Sequence, residues 1–208
     1  MKLQTAIDRV SLEDAIRLAQ ELNGKTDILE MGTSLVKDYG NLAIEKIRQV
    51  LTESELLVDI KTIDEGAYEF QQGYFYGGDI LTVMGAASYD TLKACYEVSQ
   101  EKGKTMLIDL LEVNNAKIEQ ILEFEEAIFY LHHSIDRKDK LDATASVAEF
   151  RKNFPQVKRI AIAGGIDLEQ AKELAEQGLT EIVIVGSKIT KSQEPAKAVE
   201  IFMEAIHQ

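Results

Sequence analysis

Short strand-like runs recur eight times along this chain, each followed by a stretch of helical spacing: KLQTAID, DILEMG, ELLVDIK, DILTVMG, TMLIDLL, AIFYLHH, RIAIAGG and EIVIVGS. Strands rich in Ile, Val and Leu that alternate with helices imply a parallel sheet covered on its outer face. Eight such units suggest closure. The expected fold is α/β, a (β/α)8 TIM barrel, as a single domain over 1–208. A chain of 208 residues lies near the lower end for that fold, so its connections must be short. An open doubly wound sheet is the alternative, but no glycine-rich turn follows the first run, as a dinucleotide fold would need. Two prolines and no Ser/Gly linker give no sign of a second domain.

The helices are readable at their ends. In SLEDAIRLAQELNG, Ser11 is placed to cap, Asp14 holds the capping-box position, and Leu12, Ala15, Ile16 and Ala19 keep the helical spacing. Gly24 stands where a C-cap belongs. Further helices are expected over about 35–51, 68–76, 88–102, 116–124 and 147–153, then over DLEQAKELAEQ and the last fifteen residues. In the last, Val199, Phe202, Met203 and Ile206 form the apolar face.

Charge narrows the function. The net charge of −13 argues against nucleic acid as a partner, because neutralising phosphates needs a basic surface. No apolar run is long enough to span a membrane, and MKLQTAIDRV is too short in apolar residues for a signal peptide. The single cysteine, Cys95, excludes an internal disulfide and is compatible with a reducing, cytoplasmic setting. Its helical context reads as a small core residue rather than a nucleophile.

The informative residues stand at the C-terminal ends of the strands, where barrel active sites form. The third run continues as VDIKTIDEG. Strand residues two apart share a face, so if Asp59 points into the barrel, Lys61 does too. Other runs end at Asp8, Glu30, Asp109 and the pair His132–His133. One charged strand end is usually a solvated edge; five of eight imply a polar mouth, whose charges must be paired or metal-bound. Glu30 and Asp59, on adjacent strands, suit a hard cation such as Mg²⁺. A lysine between acids stays charged and can stabilise a developing oxyanion, and an imidazole nearby can move a proton. The seventh and eighth runs end in AGG and VGS. Gly164, Gly165 and Gly186, with Ser187 and Lys188 as further donors, fit a phosphate site where barrels often place one.

These residues carry a resemblance that covers nearly the whole chain. DIKTID fits the D-x-K-x-x-D motif of the orotidine 5′-phosphate decarboxylase superfamily. KLQTAID, ILEMGT, TVMGAAS, LIDLLEV, AIAGGI and VIVGSKIT, in that order, resemble its branch of 3-hexulose-6-phosphate synthases and 3-keto-L-gulonate-6-phosphate decarboxylases. The resemblance implies a homodimeric barrel that uses Mg²⁺ and a phosphorylated sugar. It implies Glu30 and Asp59 as metal ligands and Lys61 as the group that stabilises a 1,2-enediolate. It also implies Asp64 completing the neighbouring subunit's site, Asp8 lining the substrate pocket and Asp109 in the polar network. His132 would transfer the proton, and the Gly165 and Gly186 region would hold phosphate.

Within the branch, the decarboxylase pattern usually has glutamate where Asp109 stands, arginine at Ser187 and threonine at Ala163. The departures favour the synthase, which condenses D-ribulose 5-phosphate with formaldehyde. The sister decarboxylase is the alternative, and a non-catalytic sugar-phosphate-binding barrel is a third reading. LHHSID replaces the family's His-Thr-Gly turn, which leaves His133 as a second candidate, and Glu65 adds a negative charge where a small residue is common.

Overall fold

The computed structural model describes residues 1–134, 136 and 142–207. The described strands are β1 (Lys2–Ile7), β2 (Ile28–Met31), β3 (Glu55–Thr62), β4 (Ile80–Met84), β5 (Thr105–Asp109), β6 (Ile128–His132), β7 (Ile160–Ala163) and β8 (Ile182–Val185). All pair in parallel and in sequence order, and β1 closes on β8 through the register Gln4 to Ile184. The protein is therefore a (β/α)8 barrel, as its alternation predicts. The helices between and after the strands are α1 (Leu12–Leu22), α2 (Thr33–Tyr39), α3 (Asn41–Val50), α4 (Gly66–Phe75), α5 (Tyr89–Lys102), α6 (Asn115–Glu119), α7 (Ala143–Asn153), α8 (Leu168–Gln177), α9 (Ser187–Thr190) and α10 (Pro195–Ile206).

Strand alternation builds two cores. Leu29, Met31, Val58, Leu81, Val83, Ile108, Phe129, Ile160, Ile162, Val183 and Val185 pack outward beneath the helices. Ile28, Leu57, Ile80, Leu107, Ile128, Tyr130, Ala161, Ala163, Ile182 and Ile184 fill the barrel itself. Within one inward row the chemistry changes with height. The uppermost apolar residue of five strands is followed two positions later by a polar or small one: Ile28 by Glu30, Leu57 by Asp59, Leu107 by Asp109, Tyr130 by His132 and Ile184 by Gly186. The lower barrel is thus a packed plug and the upper rim is chemically active.

Local signals decide the helix ends. Ser11 accepts a hydrogen bond from the Asp14 amide, as its position predicts. Asn23 is the residue that closes α1, and Gly24 follows it with φ +72°. The single helix expected over 35–51 is two, because Gly40 takes φ +64° and breaks it. The helix expected over 116–124 is only the short α6, which continues as turns. A short helix after β8, α9, was not foreseen: four residues are too few for a periodic signal. The longer connection expected after β6 includes residues 135 and 137–141, which lie outside the described residues.

α4 lies close against α5. A Cβ added at Gly66 would sit 2.7 Å from the Thr91 carbonyl oxygen and 2.8 Å from Cys95 Sγ. Cys95 is fully buried, and burial foremost, then the Glu69 charge, pushes its thiol up to about 12, so it is a core residue as expected. Gly66→Ala should destabilise the fold by about 1–3 kcal/mol through overpacking. Urea unfolding should show a lower midpoint with an unchanged slope; an unchanged midpoint would contradict the close packing.

Candidate active site

The structure brings four of the expected residues into one hydrogen-bonded cluster at the C-terminal mouth of the barrel, with a fifth, Glu30, beside it. Lys61 Nζ lies 2.7 Å from Asp109 Oδ2 and 3.1 Å from Asp59 Oδ2. The same Asp109 oxygen lies 2.8 Å from His132 Nδ1. Asp109 is fully buried, and its second oxygen accepts from the Leu111 amide. Glu30 lies on the neighbouring strand β2, near enough to Asp59 for the two charges to oppose each other.

Lys61 reaches this position in a way that simple alternation does not foresee. The β3–β4 register shifts between Val58 and Thr62, so two extra residues bulge out of the ladder. Lys61 takes φ +49° there, and its amide donates to the Thr82 side-chain Oγ1 at 2.9 Å instead of to a backbone carbonyl of β4. Positive φ on a side-chain-bearing residue is costly. The other such residues, Arg9, Glu65 and Glu112, all lie in loops after strands on the same rim. Backbone strain is concentrated on one face of the barrel.

Thr82 holds the cluster together from β4. While its oxygen accepts from the Lys61 amide, its hydroxyl donates to Asp59 Oδ1 at 2.8 Å, and Thr33 donates to the other Asp59 oxygen. Gln4 Nε2 donates to Glu30 Oε2 at 2.6 Å. Thr33, Thr82 and Gln4 were missed by sequence reasoning. The inward row was the available signal for two of them, since Gln4 lies four residues before Asp8 and Thr82 two after Ile80.

Electrostatics separates the acids. Burial pulls the Lys61 ammonium down, but Asp59 and then Asp109 outweigh it and hold it above the ordinary lysine range. Burial pushes Asp109 up, yet its hydrogen bond with His132 and the Lys61 charge leave it below the ordinary carboxylate range. His132 thus offers Nδ1–H to an ionised Asp109, which leaves Nε2 as its reactive nitrogen. Glu30 goes the other way: burial, and next the Asp59 charge, raise it to about 8.

The remaining expected residues surround this cluster. Asp8 Oδ1 accepts from the Ser34 amide at 3.1 Å and from its hydroxyl at 2.6 Å. A Cβ on Gly32 would lie 2.3 Å from the Asp8 carboxylate, so only glycine admits Asp8 there. Gly164 and Gly165, with φ +134° and +72°, turn the chain after β7, and Gly186 precedes α9, whose first residue is the exposed Ser187. These lie on the β7–β8 side of the rim, where the inward residues are small: Ala6, Ala163 and Gly186. Asp64 is exposed beyond the end of β3 and outside the cluster, and Glu65 beside it is also exposed. His133 continues the ladder through its amide to the Ala163 oxygen, and it is His132 that meets Asp109. Among the described residues, no three His, Cys, Asp or Glu side chains are gathered into a complete metal cage.

A family model described as "Orotidine 5′-phosphate decarboxylase / HUMPS family" matches residues 1–202. The chain belongs to this family. It is similar to a 3-hexulose-6-phosphate synthase of Staphylococcus epidermidis, 31% identical over 212 residues that cover 99% of both chains. Among solved structures, one 3-hexulose-6-phosphate synthase is 28% identical with a TM-score of 0.89, covering 99% of this chain and 100% of the other. A 3-keto-L-gulonate-6-phosphate decarboxylase from Vibrio cholerae, 23% identical with a TM-score of 0.83 over 99% of this chain and 96% of the other, shares the fold.

The raised Glu30 gives a signed prediction. Its folded value lies above the ordinary 4.5, so it contributes stability that is full below about 4.5 and is lost as pH rises through about 8. In chelator-treated protein, the wild type should lose stability over that window, and Glu30→Gln should lose less. Parallel urea midpoints for the two proteins across the window would contradict the assignment.

Proposed function

We propose that this chain is a carbon–carbon lyase, a 3-hexulose-6-phosphate synthase, which joins D-ribulose 5-phosphate and formaldehyde reversibly through a 1,2-enediolate. The observation that carries the reading is the Lys61 ammonium held between Asp59 and Asp109, with Asp109 also fixing the His132 imidazole. The names of the similar relatives support it.

The residues suit the chemistry. The C1–H bond of the sugar phosphate breaks, its proton passes to a base, and the electron pair enters the enediolate. His132 Nε2 is the proton-transfer group, since Nδ1 is committed to Asp109. Lys61 stays protonated and shares the enediolate charge. C1 then attacks the formaldehyde carbon, a C–C bond forms, and the former carbonyl oxygen takes up a proton to give 3-hexulose 6-phosphate. Asp8 lines the sugar pocket, while Gly164, Gly165, Gly186 and Ser187 receive the phosphate.

Mg²⁺ fits the donor set. Asp8, Glu30, Asp59 and Asp109 crowd one mouth, and burial, then the Asp59 charge, raises Glu30. Mg²⁺ takes one or two protein carboxylates and keeps its other positions for water and substrate, so Glu30 and Asp59 suffice without a complete cage. When bound, it supplies Lewis-acid stabilisation of negative charge on the sugar oxygens.

A homodimer fits the surface. Ile63, Tyr68 and Phe75 are 55%, 61% and 79% exposed, and Tyr68 and Phe75, seven residues apart on α4, share a face. This apolar stripe begins beside Asp64, the carboxylate expected to complete the partner's site. Ile63→Glu with Tyr68→Glu should convert a dimer into a poorly active monomer in sedimentation at micromolar concentration. A fully active wild-type monomer would overturn this part of the reading.

The deciding assay supplies purified protein with D-ribulose 5-phosphate, formaldehyde and Mg²⁺, and separately with 3-keto-L-gulonate 6-phosphate. Formaldehyde consumption supports the synthase; release of CO₂ in its place supports the decarboxylase. Lys61→Ala should lower turnover by ~10²–10³, the loss seen for one oxyanion donor. It should also slow exchange of the C1 proton in deuterium oxide. Normal exchange in a folded, Mg²⁺-loaded Lys61→Ala protein would sink the role of Lys61.

A further inference from the structure

Tyr130 lies inside the barrel, one step below His132 on the same inward row. Its register partners are Asp109 on β5 and Ala161 on β7. Its ring stacks on the His132 imidazole, with centroids 4.7 Å apart and planes 14° from parallel. The small residues Ala6, Ala161 and Ala163 leave room for so large a side chain within the inner core. Four carboxyl groups bear on the phenol, Glu30, Asp109 and Asp59 from three strands and Asp8 from the loop after β1. That places it centrally beneath the mouth rather than against one wall.

A buried tyrosine usually finds a partner for its hydroxyl. No hydrogen bond to the Tyr130 hydroxyl is present among the described residues, and the hydroxyl is not sealed off from solvent: the side chain keeps a residual 8% exposure. Burial foremost, and then the surrounding acids, keep this phenol protonated far above the ordinary tyrosine range, so it carries a proton to donate. The surrounding carboxylates are engaged by others: Asp59 by Thr33, Thr82 and Lys61, Asp109 by Lys61, His132 and the Leu111 amide, Asp8 by Ser34 and Glu30 by Gln4.

We propose that Tyr130 is a further catalytic residue, a neutral hydrogen-bond donor to an oxygen on the reacting end of the bound sugar phosphate. Its stack on His132 also sets the plane of the imidazole that moves the proton. The inference rests on the function proposed above and adds a neutral donor from the inward row, one step below His132.

The test compares Tyr130→Phe, which keeps the ring and its stack, with Tyr130→Leu, which removes both. Tyr130→Phe should unfold at a urea midpoint close to that of wild type, because it keeps the ring and its stack on His132. Its kcat/KM for condensation should fall by ~10-fold or more, on the scale of one lost donor, with C1-proton exchange slowed in parallel. Tyr130→Leu should lose activity further and change the pH profile, since the imidazole loses its stacking surface. Wild-type catalysis with Tyr130→Phe within two-fold of it in both kcat and KM would overturn the donor role and leave the proposed function standing. A wild-type protein that neither exchanges the proton nor binds D-ribulose 5-phosphate would overturn both.

Discussion

The Lys61 ammonium is the charge on which the mouth of this barrel depends. It lies within ion-pair distance of Asp59 and of the fully buried Asp109, and its charge helps to hold the Asp109 carboxyl below the ordinary carboxylate range. Removing one partner of such a cluster leaves the others buried and unpaired, which costs more than the pair itself contributes. The arrangement also fixes direction. Asp109 accepts from Lys61 and His132 through one oxygen, so the state of the ammonium and the orientation of the imidazole are linked.

The scaffold accepts strain to obtain that charge. A regular β3 would keep pairing with β4 beyond Val58; instead the register slips and Lys61 adopts φ +49°. Thr82 repairs the break by accepting the freed Lys61 amide and donating to Asp59. The plug of Ile, Leu and Val below the rim supplies the rigidity that such a conformation needs, since packed cores resist relaxation. Stability is generated in the lower barrel and consumed at the top.

The acids divide into three environments although they share one mouth. Asp109 is ionised by its cationic neighbours, Glu30 is pushed toward its neutral form, and Asp64 stands in solvent beside an exposed apolar stripe. Residues of the same chemical type thereby acquire different charge states and surroundings by position alone. This division is how one fold supports several roles with carboxylates.

Much of this was legible in the chain itself. Period-two alternation within eight strands dictates which residues face inward, and the placement of Glu30, Asp59, Asp109 and His132 two residues above apolar positions follows from it. The D-x-K-x-x-D spacing pointed to the site, although Lys61 meets Asp59 through a bulge rather than through a shared strand face, and Asp64 lies outside the cluster. The bulge at Lys61, the break at Gly40 and the short helix after β8 were not legible, because each is a local departure that the register between neighbours imposes. Nor could a one-dimensional pattern show Thr33 and Thr82 converging on Asp59, Gln4 meeting Glu30, or Tyr130 stacking beneath His132. The partners of Thr33, Thr82 and Gln4 lie on other strands, and only closure of the barrel brings those strands around a common axis; alternation decides which way a side chain points, whereas tertiary structure decides what it meets.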